Sequence, residues 1–233
     1  MYEAHGGWNE AQNYYEQALS VANEAQSRIH ISLNIESLGS LAIGMGDFDR
    51  AISLLEQARK LVQGTPDDKF LPFALLDLGE VARFQGNFEQ AIVFFHERLS
   101  LPQGDDQKAM AYCYLAHTES LRGEILKARQ YFVTGLHTIP TGDDYVSPSL
   151  IPFVAYFMVG QKMDKKATSL LGWVDGWDKA KGYYQLPVYQ AEFDRYLAQA
   201  RKGLSESEFN EAWAEGQSMS QEQVLALAME VLQ

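Results

Sequence analysis

One short pattern occurs four times in this chain of 233 residues, and a recurring pattern constrains a fold more than any single motif does. In each copy a glycine is followed two residues later by a large apolar residue and five residues later by an alanine. The glycines are Gly6, Gly46, Gly86 and Gly123, and the alanines are Ala11, Ala51, Ala91 and Ala128. The glycines are 40, 40 and 37 residues apart. This periodicity predicts an array of similar stacked units.

The residues around the pattern recur as well. An aromatic residue or a leucine follows each alanine by four positions, and a leucine with a small neighbour precedes three copies, at 38–39, 78–79 and 115–116. Together these features resemble the tetratricopeptide repeat, a helix–turn–helix unit. The resemblance implies an all-α, right-handed superhelix of helical hairpins. In such a hairpin the small residues allow close helix approach, and the glycine ends the first helix in a left-handed conformation.

The period near 40 exceeds the usual repeat length of about 34 residues, so we expect longer helices or longer loops between repeats. Loops rich in Gly, Pro and Asp are predicted at 64–68, 102–106 and 140–144. A dinucleotide-binding loop at Gly44-Met45-Gly46 is the alternative for one copy. It is rejected because Asp49 stands where a third glycine should fall, residues 31–43 lack a strand pattern, and the motif recurs.

The repeats are predicted to fill residues 1–182, in about five units. The first copy has only Met1 to His5 before its glycine, too few residues for a first helix, and we expect that the chain was cut from a longer protein. The fifth unit is degenerate, with helices at 150–159 and 164–181. Ala167 occupies its alanine position, but Lys162 occupies the glycine position, so the turn there should differ.

Residues 183–233 leave the repeat pattern and are predicted to form a helical C-terminal cap on the same solenoid. A helix is expected at 188–202, with Phe193 and Leu197 on its apolar face. Two capping boxes follow, Ser205 with Glu208 and Ser220 with Gln223, and each predicts a helix start.

This C-terminal region carries a second resemblance. The segments 170–172, 193–195 and 204–228 are similar to the terminal region of large bacterial signal-transduction ATPases and of LuxR- or kinase-type regulators. Such proteins place a tetratricopeptide-like sensor region after a nucleotide-binding switch module. The resemblance covers about the last sixty residues closely. No phosphate-binding Gly-x-x-x-x-Gly-Lys-Ser/Thr motif occurs in the chain, so the chemistry of the switch does not transfer.

The charge balance disfavours two classes of partner. The chain has 19 basic and 31 acidic residues, and a net charge of −12 suits neither nucleic acid nor an anionic membrane surface. There is one cysteine, no signal peptide, and no apolar run close to the ~20 residues that span a bilayer. We therefore expect a cytoplasmic protein.

Motifs for catalysis or metal binding are absent from the sequence. The five histidines do not have metal-ligand spacing, and no cofactor is predicted. Cys113 and His117 form an i, i+4 pair, but a nucleophile and its base also need an orienting group and an oxyanion hole. A small buried thiol is the preferred interpretation of Cys113. The chain is not expected to be an enzyme.

What remains is a binding surface. In this repeat family the first helices line the concave face. The residues that the register places there are Leu33, Glu36, Ser40, Phe73, Leu76, Asp77, Glu80, Arg83, Met110, Tyr114, His117, Phe153 and Tyr156. The alternative for each apolar member is packing against the neighbouring repeat. The set is aromatic and acidic, so the expected partner is a protein or peptide with an apolar centre and basic flanks.

The sequence therefore predicts a protein- or peptide-binding regulatory module of a larger bacterial signalling or transcription-regulatory protein. A homodimeric self-association scaffold and a domain that binds a small-molecule inducer are the alternatives. Partner binding in the preferred case would shift the population of a switch encoded upstream.

Overall fold

The described part of the chain is helical and contains no strand. The structure, a computed structural model, describes residues 7–102, 104–139, 146–183 and 185–232, without the side chains of residues 106 and 146–148. Its helices are α1 (Gly7–Glu24), α2 (Arg28–Met45), α3 (Phe48–Val62), α4 (Leu71–Phe84), α5 (Phe88–Ser100), α6 (Asp105–Leu121), α7 (Ile125–Thr138), α8 (Val146–Gly160), α9 (Asp164–Lys181), α10 (Pro187–Lys202), α11 (Glu206–Ser218) and α12 (Gln221–Leu232). A short 3₁₀ helix, Asp68–Phe70, precedes α4. The predicted all-α class is thus confirmed for the described residues.

The chain divides into two compact units. The first unit contains α1 to α5 together with the segment Leu186–Val188. The second unit contains α6 to α9, α10 from Tyr189 onward, α11 and α12. The predicted division into repeats up to residue 182 and a cap from residue 183 describes which residues follow the repeat pattern, and not which residues pack together. It stays a prediction.

Helical hairpins build the first unit. Helices α2 and α3 form one pair and α4 and α5 the next, while α4 also contacts both α2 and α3. The residues of the repeat pattern make these pairs close. A Cβ atom at Gly39 would lie 2.8 Å from Cδ2 of Leu55, and one at Gly79 would overlap the ring of Phe95. Ala51 and Ala91 are fully buried, so the small and large repeat residues are used for packing, as predicted.

The turn inside each hairpin explains the recurring glycine. Gly46 has a φ of 79°, and the N–H of Asp47 donates to the carbonyl oxygen of Ala42 at 2.9 Å. This six-to-one hydrogen bond belongs to a left-handed helix cap. Lys162 takes the same conformation with a φ of 62°, and the N–H of Met163 donates to Met158 at 3.0 Å. The expectation that this turn differs is therefore wrong, because a lysine adopts the conformation that glycine has elsewhere.

The second unit continues the same pairing and adds three helices. Helix α6 pairs with α7 and α8 with α9, and α6 also contacts α8. Helix α11 packs along α9 through two glycines. A Cβ at Gly172 would lie 2.6 Å from the carbonyl oxygen of Trp213, and one at Gly216 would overlap the carbonyl of Ser169. Helix α12 contacts α7, α8 and α9, so these C-terminal helices bury apolar surface of the two preceding hairpins.

Both predicted capping boxes form. At the start of α11 the N–H of Ser205 donates to Glu208 at 2.8 Å, and the N–H of Glu208 donates to the Ser205 hydroxyl at 3.3 Å. At the start of α12 the N–H of Ser220 donates to Gln223 Oε1 at 2.8 Å, and the N–H of Gln223 donates back to the Ser220 hydroxyl. Gly6, the residues before it and the predicted loop at 140–144 lie outside the described residues.

Candidate functional site: an aromatic pocket in the second unit

The first unit brings three of the predicted groove residues into one polar cluster. The Ser40 hydroxyl lies 3.2 Å from Oε1 of Glu36 and donates to the carboxylate of Asp77, so α2 and α4 are joined through polar groups. Burial raises the pKa of Asp77 well above its usual range, and the charge of Glu36 raises it further. Burial also raises the pKa of Glu36. A hydrogen bond between the two carboxyl groups favours a protonated Asp77 beside an ionised Glu36.

The other predicted residues of this unit differ in accessibility. Leu33 and Phe73 are half-buried, whereas Leu76, Glu80 and Arg83 are buried. Glu80 and Arg83 approach to 3.6 Å, one helical turn apart. The accessible part of the predicted groove in the first unit is therefore limited to Leu33, Glu36, Ser40 and Phe73.

The second unit contains a pocket with a volume of about 420 Å³. Helices α6, α8, α9 and α10 and the segment between α9 and α10 form its walls. The lining residues are Tyr114, Ser149, Pro152, Phe153, Tyr156, Val174, Trp177, Asp178, Tyr183, Gln185, Tyr189, Glu192 and Phe193. This volume lies in the range of about 300–1,000 Å³ that is usual for small-ligand sites.

Three of the five groove residues predicted in this unit line the pocket. Tyr114 comes from α6, and Phe153 and Tyr156 come from α8, the first helices of two consecutive hairpins. Met110 is half-buried and packs on the apolar core. His117 lies behind the wall rather than in it. Its ring is buried, and it stacks on Phe153 with the ring centroids 5.1 Å apart.

Aromatic rings form most of the pocket wall. Trp177 and Tyr183 stack with their centroids 5.3 Å apart, and the Nζ of Lys181 lies 6.0 Å from the Trp177 ring centroid. Tyr156 stacks on Tyr196 at 4.1 Å, with 11° between the ring planes. These contacts orient Tyr156 and Trp177. Tyr196 and Lys181 lie outside the wall, whereas Tyr183 supports Trp177 from within it.

The charged residues that line the pocket are both acidic. Asp178 is partly buried and accepts a hydrogen bond from Gln185 at 2.8 Å. Burial raises the pKa of Asp178, the bond from Gln185 lowers it, and the charge of Asp175 raises it. Glu192 is buried, with its Oε1 3.4 Å from Nε2 of His117. No lysine or arginine is among the described residues that line this pocket.

Ten of the thirteen residues that line the pocket were missed by sequence reasoning. Trp177 and Asp178 lie on a second helix, Tyr183 and Gln185 lie after it, and Glu192 lies on α10. The repeat register assigned only first helices to the binding surface. The one available signal is the i, i+4 pairing of aromatics, Trp173 with Trp177 and Tyr189 with Phe193, and this signal is equally typical of core packing.

The structure also places the residues that were considered for other chemistry. Cys113 is buried, and burial raises the pKa of its thiol far above the ordinary value. Over the ranges that the structure describes, no group of three or more His, Cys, Asp or Glu side chains could hold a metal ion. Within those same ranges, no helix is both long enough and apolar enough to cross a membrane.

The stacked hairpins of the first unit define a helical-repeat protein. Residues 29–103, which include α3, α4, α5 and nearly all of α2, match the family model of the tetratricopeptide repeat. This match supports a tetratricopeptide-repeat region in this part of the chain and confirms the predicted tetratricopeptide-like fold class. Tetratricopeptide repeats generally mediate protein–protein interactions and are typically non-catalytic. A search of the curated proteins finds no match to the chain.

Proposed function

We propose that the chain is a protein- or peptide-binding regulatory module of a larger bacterial signalling or transcription-regulatory protein, acting in the cytoplasm without catalysis of its own. The observation that carries the proposal is the pocket of the second unit. Tyr114, Phe153 and Tyr156 reach it from the first helices of two hairpins, the helices that line the binding face in this repeat family. The tetratricopeptide region at 29–103 supports the binding part of this function. The regulatory part is proposed from the resemblance of the last sixty residues of the sequence to the terminal region of bacterial regulators.

The partner follows from the chemistry of the groups that line the pocket. Aromatic side chains provide apolar contact area at low conformational cost, and carboxylates attract a positively charged segment. The pocket combines both, and the net charge of −12 adds a long-range attraction for basic partners. The proposed partner is thus a protein or peptide segment that is apolar with basic flanks. Its binding would bias an upstream switch only if the affinity differs between the two switch states.

A small-molecule inducer is the second candidate. The volume of about 420 Å³ favours it, because a pocket of this size buries most of a small ligand. In that case the module would act as a chemical sensor in the same parent protein.

Peptide titrations test the proposal. Three labelled peptides would share one apolar centre and carry arginine, serine or aspartate flanks, and fluorescence anisotropy would report their binding to the full chain. The arginine-flanked peptide should bind most tightly. Tyr114→Ala should weaken its binding about tenfold, the cost typical of losing one aromatic contact in a desolvated site. Tyr112→Ala is the matched control, since Tyr112 is a half-buried tyrosine of the same helix that does not line the pocket.

Two outcomes would contradict the proposal: tightest binding of the aspartate-flanked peptide, or equal losses from Tyr114→Ala and Tyr112→Ala. Light scattering on the same samples measures the mass with and without peptide. A dimer that forms without ligand and ignores all three peptides would favour the self-association scaffold instead.

A further inference from the structure

We propose that the pocket of the second unit recognises one organic cation, a guanidinium or alkylammonium group on an apolar stem. The cation is the side chain of an arginine or lysine in the partner, or a free small molecule with the same groups. The inference rests on the proposed function in one respect: it names the chemical group that the proposed binding site takes.

The walls carry the first part of the argument. Aromatic rings attract cations electrostatically, and a cage of several rings binds ammonium and guanidinium groups when water is excluded. The pocket has seven aromatic side chains among its lining residues: Tyr114, Phe153, Tyr156, Trp177, Tyr183, Tyr189 and Phe193. A neutral apolar ligand would use the same rings, so the rings alone do not select a charge.

The carboxylates supply that selection. Asp178 and Glu192 line the pocket from α9 and α10, and no lysine or arginine stands among the described lining residues. Glu192 lies beside His117 and, at 3.5 Å, beside the guanidinium of Arg195. Asp178 accepts from the neutral amide of Gln185 and is repelled by Asp175. A bound cation would offset the desolvation of Asp178, so Asp178 is the expected anchor and Glu192 the weaker contributor.

The size of the pocket limits the ligand. About 420 Å³ accommodates one long side chain with its adjoining backbone, or a single small amphiphilic cation. A charged group flanked by methylenes suits walls that are mainly aromatic with acidic groups at two positions. We therefore expect the charge of the ligand, and not the length of its apolar stem, to determine the affinity.

A matched pair of ligands tests the charge. N-acetylarginine amide and N-acetylcitrulline amide have nearly the same shape, but the first carries a guanidinium and the second a neutral ureido group. Benzyltrimethylammonium serves as the free small cation. The indole N–H signal of Trp177, assigned with a Trp177→Phe variant, would report binding to the full chain by NMR.

The arginine amide should bind about tenfold more tightly than the citrulline amide, and Asp178→Asn should remove most of that difference. Asp194→Asn is the control, since it removes the same charge from an exposed position on α10 outside the pocket. Equal affinity of the two amides, or an equal loss in Asp178→Asn and Asp194→Asn, would overturn the inference. So would the absence of binding by all three ligands.

The relative affinities identify the source of the cation. Tighter binding of the arginine amide assigns the pocket to a side chain of a peptide partner, whereas tighter binding of benzyltrimethylammonium assigns it to a free small cation. Failure of the two proposals can be told apart. If the small cations bind but the arginine-flanked peptide does not, the inference stands and the peptide-binding function fails. If the peptide binds in a way that Asp178→Asn leaves unchanged, the function stands and the inference fails.

Discussion

The rings of Trp177 and Tyr183 stack face to face, with 5° between their planes, although the end of α9 separates the two residues. Gly182 ends α9 in a left-handed conformation with a φ of 69°, which turns the chain back and brings Tyr183 over the helix. The stack thereby makes the segment after α9 a wall of the pocket. This part of the wall is open to solvent, since Tyr183 is 50% exposed.

Tyr183 can therefore be changed without loss of core packing. We expect Tyr183→Ala to weaken binding of N-acetylarginine amide about five- to tenfold, because one aromatic wall is lost, and to change the unfolding free energy little. Tyr183→Phe should keep nearly all the affinity. Tyr14 is an exposed tyrosine of the first unit, far along the chain from the pocket residues, and Tyr14→Ala should leave binding unchanged. Equal binding by Tyr183→Ala and the unsubstituted chain in an NMR titration would remove this residue from the site.

The affinity for a cation should depend on pH through Asp178. Burial raises the pKa of Asp178 from its ordinary value of 3.8, so this carboxyl group is protonated at a higher pH than an exposed aspartate. A bound cation favours the ionised form, and its affinity should fall as the pH falls through the raised pKa. Titrations of the arginine amide between pH 7.5 and 4 measure this slope. Asp178→Asn should flatten it, and a slope that the variant leaves unchanged would assign the titration to another group.

Asp77 should make the stability of the chain depend on pH in the opposite direction, with stability falling as the pH rises. Burial and the charge of Glu36 raise the pKa of Asp77 well above 3.8, whereas the unfolded chain has the ordinary value. The folded state therefore binds the proton more tightly, and the contribution of Asp77 to stability declines as the pH rises from about 4 through the folded pKa. Asn cannot ionise. We expect Asp77→Asn to gain stability relative to the natural sequence as the pH rises from 4 to 8.

Urea unfolding at several pH values measures this difference. The groups that face Asp77 are Glu36, Ser40 and Glu80. Asp77 also lowers the pKa of Glu36 through a hydrogen bond, so the substitution changes the titration of this pair of carboxyl groups. Asp194→Asn again serves as the control, because an exposed aspartate should leave the pH profile parallel to that of the natural sequence. Parallel profiles for Asp77→Asn as well would show that Asp77 is not the titrating group.

The helical pairs could be predicted from the sequence because the residues that specify them are close along the chain. The ring of Phe95 in the next helix leaves no room for a side chain at position 79, which explains Gly79. Leu55 has the same relation to Gly39. The pocket could be predicted only in part. Tyr114 follows from the repeat register, whereas Glu192 joins the pocket only because α10 returns beside α6, and a local pattern does not contain this information.

Burial of charge was the other feature that the sequence did not show. Glu80 and Arg83 occur at positions that the register assigns to an open groove, and charged side chains are rarely buried unless they are paired. Both are 3% exposed in the structure, and they form an ion pair one turn apart. Spacing alone does not distinguish such a pair from the solvent-exposed ion pairs that are common on helices.

Two glycines at the contact of α9 with α11 should not tolerate a side chain. Gly172→Ala would place a methyl group 2.6 Å from the carbonyl oxygen of Trp213, and Gly216→Ala would overlap the carbonyl of Ser169. Backbone atoms cannot move aside easily, so each change should cost about 1–3 kcal/mol of unfolding free energy. Gly176→Ala is the matched control at the same contact. Its methyl group would be 3.5 Å from Gln217, an ordinary contact, and it should gain up to about 1 kcal/mol from helix propensity.

Urea unfolding of the three variants checks the prediction. The order of stability should be Gly176→Ala first, with Gly172→Ala and Gly216→Ala clearly lower. If all three variants have the same stability, the two helices are not as close as the structure shows, and the small residues of this segment need another explanation.

Lys162 and Gly123 allow a reciprocal test of the turn conformation. The left-handed conformation costs a residue with a side chain about 1–2 kcal/mol. Replacing that residue by glycine removes this cost, but the greater freedom of glycine in the unfolded chain offsets part of the stabilisation. Lys162→Gly should therefore raise the unfolding free energy by about 0.5–1 kcal/mol. Gly123→Lys should lower it by a similar amount, because Gly123 has a φ of 83° and open space beside it, so only the backbone conformation is penalised. Chemical denaturation measures both changes. A loss of stability in Lys162→Gly would mean that contacts of the lysine side chain outweigh the strain at this turn. The hairpin of α8 and α9 would then differ in energy from the other hairpins although its turn has the same geometry.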